Sequence, residues 1–94
     1  MTTVKAGENI FNALGFDEST AQNLRIRAQL MMEIDQYIES HHLTQTDAAE
    51  LFGTTQARIS NIKTGKIDQF TIDILVNMLS KAGQRVNFST SDAA

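Results

Sequence analysis

The sequence predicts an all-α fold of about four to five helices, closed by a short C-terminal strand. Two observations carry most of this. Apolar residues recur every three to four positions through residues 20–41, and Ser, Thr, Asp and Gly fall where helices should start and stop. A third is that polar–apolar alternation occurs in only one short stretch, residues 85–89. The chain has 94 residues, no proline and 41% hydrophobic residues. That length supports one small core, so residues 1–94 read as a single domain.

Residues 1–8 are polar and expected to fray, as are residues 90–94. Residues 9–16 form a short apolar helix around Ile10, Phe11, Leu14 and Phe16, with Gly15 as its stop. Asp17 or Ser19 caps the next helix, and Asp17 and Glu18 suit a helix N-terminus. Leu24, Ala28, Met31, Ile34 and Ile38 make its buried stripe, which Ile26, Leu30 and Tyr37 widen. Arg27 and Asp35 interrupt the stripe without an evident role. Thr44-Gln45-Thr46-Asp47 is a capping-box pattern with Asp in place of Glu. It opens a helix over residues 45–52 that buries Ala48, Ala49, Leu51 and Phe52. Gly53 ends that helix, Thr54-Thr55 caps the next, and residues 56–63 follow with Ile59 and Ile62 inside. Thr64-Gly65-Lys66 is a stop. Phe70-Thr71 caps a last helix with Ile72, Leu75, Val76, Met78 and Leu79 on one face, ended by Gly83. Arg85-Val86-Asn87-Phe88-Ser89 alternates as a strand does.

Residues 44–63 form the informative stretch. Two short helices joined by a turn of three to four residues make a helix-turn-helix. The corner needs a small residue where the helices touch, and Ala49 is placed there. It needs a residue tolerant of positive φ in the turn, four positions on, which is Gly53. It needs branched apolar residues to pin the second helix, and Ile59 and Ile62 follow in register.

Composition excludes several classes of function. There is no cysteine, so disulfide scaffolds, thiolate zinc sites and thiol nucleophiles are out. His41 and His42 are adjacent and point to different sides, unlike a chelating i, i+4 pair. They suit a helix C-terminus instead. Glu33 and Asp35 are not an i, i+4 pair and have no acid/base companion, and no Ser/His/Asp set or phosphate loop is present, so no enzyme and no cofactor are expected. No apolar run nears the roughly 20 residues of a membrane span, and no secretory signal opens the chain; a cytoplasmic protein is expected. The net charge of −3 is unevenly spread. Residues 1–52 hold three basic and eight acidic residues; residues 53–94 hold five and three, with no acid from Gly53 to Ile67. A basic face on an acidic chain is compatible with nucleic acid, because screened fields are local.

Leu43-Thr44-Gln45-Thr46-Asp47-Ala48-Ala49, followed by Gly53-Thr54-Thr55-Gln56-Ala57-Arg58-Ile59-Ser60, resembles the Xre family, the DNA-binding domains of lambdoid phage repressors. The likeness covers about residues 24–83 and implies a lambda-repressor-like bundle. A narrower likeness is to HigA-type antitoxins. It is carried by Asn23-Leu24-Arg25, Gly65-Lys66-Ile67-Asp68-Gln69-Phe70, Leu75-Val76-Asn77-Met78-Leu79 with Ala82-Gly83, and by Ile10-Phe11 and Leu14-Gly15-Phe16. That resemblance implies a homodimeric repressor of its own operon, bound to an inverted-repeat operator in double-stranded DNA, with a RelE-type ribonuclease toxin as partner. Carried onto this chain, it implies that Gln45 contacts phosphate and that Thr55, Gln56, Ala57 and Arg58 form the exposed start of a recognition helix. Gln56 would pair with an adenine edge, and Arg58 with a guanine or a phosphate. Ala57 departs from the polar residue of many relatives and offers only a methyl contact to thymine. Asn61 is a second base-edge candidate. Thr64, Gly65 and Lys66 would offer backbone N–H groups and charge to a phosphate.

Each of these residues also has a plain structural reading. Gln56 and Arg58 suit a solvated helix face, and Met31, Met32 and Met78 suit core filling. Three functions therefore stand side by side: an antitoxin and autorepressor, a regulator of the same type without a toxin, and a helical interaction module that binds no DNA. Gln56, Arg58 and Asn61 speak against the third.

Overall fold

The computed structural model describes residues 9–92; the fraying expected of residues 1–8, 93 and 94 lies outside them. Five α-helices run in order: α1 Ile10–Ala13, α2 Glu18–Ser40, α3 Gln45–Leu51, α4 Gln56–Lys63 and α5 Ile72–Lys81. A single 3-10 turn, Ile67–Gln69, connects α4 to α5. Among the described residues, no helix is long and apolar enough to cross a membrane.

Helix ends explain why so short a chain divides cleanly. Every α-helix opens on a side-chain oxygen that accepts a backbone N–H: Asn9 from Phe11, Asp17 from Thr20, Thr44 from Asp47, Thr55 from Arg58 and Thr71 from Ile74. Each such cap stabilises its helix by about 1 kcal/mol. The Thr20 N–H holds the Asp17 carboxyl below the usual carboxylate range. Every α-helix also closes alike. The N–H two residues beyond the cap returns to a carbonyl in the last turn: Phe16 to Phe11, Leu43 to Ile38, Thr54 to Ala49, Lys66 to Asn61 and Gln84 to Leu79. This closure puts the intervening residue in the left-handed region. Glycine fills four of the five positions; the fifth is His42, with φ of 53°.

α2 is the spine. Leu30, Met31, Ile34 and Ile38 pack with Ala48, Ala49 and Phe52, with Ile59 and Ile62 of α4, and with Leu75, Met78 and Leu79 of α5. Phe52 and Phe70 are the largest fully buried side chains. No polar or charged residue is buried among the described residues, so the core carries no desolvation cost of that kind. The Tyr37 ring meets Phe52 edge-on at 5.7 Å and stacks on His41 at 3.9 Å. His41 thus caps α2, with its ring Nδ1 2.9 Å from the Tyr37 carbonyl oxygen.

Several expectations are corrected, and among them Met32, expected to fill the core, is 58% exposed. The C-terminal strand is not formed: residues 84–92 have no regular structure, and no strand occurs among the described residues. A strand needs a neighbour for its ladder, and this fold offers none there. Val86 packs half-buried on the core, but Phe88 is 90% exposed. On α2, Leu24 and Ala28 are only half-buried, while Ala21 and Leu30 are buried. The first half of α2 has the four-residue α1 against it, too little to cover a full stripe. Leu51 is likewise half-buried, at the end of α3.

Candidate nucleic-acid interface

α3 and α4 meet through Ala48, Ala49 and the turn at Gly53, as the spacing requires. Ala49 is buried on α3, at 7% exposure. Gly53 has φ of 63°, which glycine alone adopts freely. A side chain there would also meet the stem of Lys81, which lies over the turn from the end of α5. This cover is not legible in the sequence, because the two residues are far apart along the chain.

Ile59 and Ile62 point inward and are buried. That orientation turns the first residues of α4 outward, since side chains three apart share a face and their neighbours do not. Thr55, Gln56 and Ala57 are exposed, and so is Gln45 at the start of α3. Asn61 is half-buried, one turn on from Ala57. The Thr55 hydroxyl accepts the Arg58 N–H at 3.1 Å, which leaves its own proton free for another acceptor. Gln45 thus stands exposed at the start of α3, and Thr55, Gln56 and Ala57 at the start of α4, with Asn61 further along the same helix.

Arg58 does not project freely. Its guanidinium lies over the Phe70 ring, 5.4 Å from the centroid, and donates to the Gln69 carbonyl at 3.3 Å. Both partners are neutral, so its charge is undiminished, but reaching a base means leaving this seat. Thr64 and Lys66 are exposed just beyond α4. The expectation that this segment offers backbone N–H groups to a phosphate is corrected. The Thr64, Gly65 and Lys66 amides already donate to Ser60, Ile62 and Asn61 as they close α4. The Thr64 hydroxyl donates to the Ser60 carbonyl at 2.9 Å. What remains for an anion is the Lys66 ammonium.

The two residues the sequence left without a role find one here. Asp35 and Glu39, one turn apart on α2, both bind Lys63 at the end of α4, at 3.1 and 2.6 Å. The Lys63 ammonium holds the Glu39 carboxyl below its ordinary value, and Glu39 raises that of Lys63. Lys63 therefore anchors α4 to α2 and is drawn away from the exposed face. Arg27 donates from Nη1 to the Ile67 and Phe70 carbonyls at 3.4 and 3.2 Å, and from Nε to Asn23 Oδ1 at 2.7 Å.

A helix held from behind, with amide side chains outward and a cation past its end, is an arrangement that suits a DNA groove and its phosphates. No curated protein matches the chain significantly. The family described as "Helix-turn-helix domain" matches residues 13–91, which include every element described except the first three residues of α1, and that domain points to a DNA-binding regulator. The chain belongs to this helix-turn-helix family, as an Xre-like protein.

Proposed function

We propose that the protein is a sequence-specific transcriptional repressor that binds an inverted-repeat operator as a homodimer. The observation that carries this is the exposed start of α4, where Gln56 and Ala57 stand clear of a helix fixed by Ile59 and Ile62. Gln56 reads an adenine edge in the major groove. Gln45, Thr55 and Lys66 meet phosphates, with Thr64 beside them. Asn61 reaches a second base, and Arg58 leaves Phe70 for a guanine or a phosphate. None of these roles calls for a catalytic step or a cofactor.

The test separates readout from charge. Gln56→Ala should cost about 1–3 kcal/mol on the best duplex and relax preference at one base pair in each half-site. Lys66→Ala should weaken binding to all duplexes alike and flatten the salt dependence. An unchanged ranking of duplexes with Gln56→Ala overturns the readout assignment.

We further infer that the protein is the antitoxin and autorepressor of a type II toxin–antitoxin operon. The resemblance to HigA-type antitoxins supports this, and so does α1. Asn9 ties that turn to α2 through the Ala21 carbonyl at 3.0 Å. Yet Ile10, Leu14 and Phe16 stay about half exposed, at 53%, 59% and 47%. A RelE-type ribonuclease would cover them. Co-expression with the product of the neighbouring gene should give a complex that survives purification, and a chain starting at Asp17 should keep DNA binding but lose the complex. A neighbouring product that never co-purifies leaves the stand-alone regulator as the reading.

A further inference from the structure

We propose that Arg27 is a positioning residue for the DNA contacts, acting from α2 by clamping the connector Ile67–Gln69. A 3-10 turn of three residues has little to hold it, with one poor hydrogen bond per residue and open carbonyls at its end. Here guanidinium groups take those carbonyls. Arg27 Nη1 donates to Ile67 and Phe70, and Arg58 donates to Gln69 between them. Arg27 reaches across 40 and 43 residues of sequence to do so. Its own direction is set by Asn23, whose Oδ1 accepts from Nε. Guanidinium suits this task because its donors are fixed in one plane and stay charged at any working pH.

What the clamp holds is the segment next to the DNA-facing residues. Lys66 precedes the connector and is joined to α4 through Asn61. The Gln69 carbonyl is the seat of the Arg58 guanidinium, and the Phe70 ring is its floor. Releasing the connector frees Lys66 from its present position while the apolar core, Phe70 included, stays buried for its own reasons. Arg27 thus belongs with the binding face although it lies on α2 and is half-buried.

The proposal rests on the DNA-binding reading, and its test uses the full chain with a duplex selected from random sequence. Arg27→Met should lose about tenfold in affinity, the share of one charge-assisted hydrogen bond, in protein that remains folded at the assay temperature. In a Lys66→Ala background the same change should cost much less, because the contact it positions is gone. Fully additive losses, or an unchanged affinity, overturn the proposal. Should Arg27→Met not fold, Asn23→Ala removes only the acceptor that orients the guanidinium. It should give about a threefold loss with the same non-additivity. Amide exchange of Gln69 and Phe70 in the free protein should quicken in either variant; unchanged exchange overturns the clamp. That readout needs no DNA, so it separates failure of the clamp from failure of the DNA-binding reading.

Discussion

Single residues divide into those whose role is local and those whose role is set by distant partners. The caps are local. Asp17, Thr44 and Thr55 are read correctly because a cap bonds to an N–H two or three residues away. Gly53 and Gly65 are legible for the same reason. His42 is the exception to the glycine rule, in the left-handed region at the end of α2. His42→Gly should therefore stabilise the fold by about 0.5–1 kcal/mol, seen as a raised midpoint in urea; a lowered midpoint would show that the imidazole itself contributes. Arg27 and Asp35 could not be read from the sequence. Apart from Asn23, one turn before Arg27 on α2, their partners are backbone carbonyls and a lysine 28 to 43 residues away, and no local pattern encodes those distant contacts. Arg58 was legible as a surface cation on α4, but not its seat on Phe70, for the same reason.

At the level of elements, α3, α4 and α5 emerge close to the expected bounds, because each has an apolar period and a cap at one end and a glycine stop at the other. The 3-10 connector was missed: three residues are too few to show a period. The C-terminal strand was expected from alternation alone, and alternation does not supply a partner strand. Two element-level predictions follow from the packing. Ala49→Leu should destabilise by about 1–3 kcal/mol, because the α3–α4 crossing has no room for the added volume; an unchanged melting temperature would place Ala49 outside that crossing. The tie between α4 and α2 is a matter of charge. The Glu39 carboxyl is depressed in the folded state, chiefly by its hydrogen bond to Lys63. Its contribution is therefore complete above the ordinary glutamate value, about 4.3, and is lost as pH falls through the folded one. Lys63, raised in the folded state, contributes below its ordinary value and loses this only as pH climbs through the folded one. Glu39→Gln should therefore flatten the acid limb of stability against pH slightly and lower the neutral region by the same small amount, since exposed pairs contribute little. An acid limb of unchanged slope contradicts this.

For the molecule as a whole, one copy of α4 is a small reader. A single module of this size makes too few contacts for tight, specific binding, and two copies related by a two-fold axis meet that need. The unformed C-terminal strand fits this proposal. Residues 85–89 keep a strand's alternation, and Phe88 stands almost wholly exposed. Antiparallel pairing of two copies centred on Asn87 would set each Phe88 opposite the other's Val86, forming the ladder that one chain lacks. Phe88→Ser should then shift the chain toward monomer in sedimentation and weaken operator binding without unfolding it; an unchanged association state places the dimer surface elsewhere. The central claim, two-fold sequence-specific binding through α4, is tested most directly by selecting duplexes from random sequence and footprinting the winner at known stoichiometry. The account predicts an inverted repeat protected by two chains, with half-site centres about 34 Å apart. No enriched sequence, or a footprint without symmetry from a single chain, would contradict it.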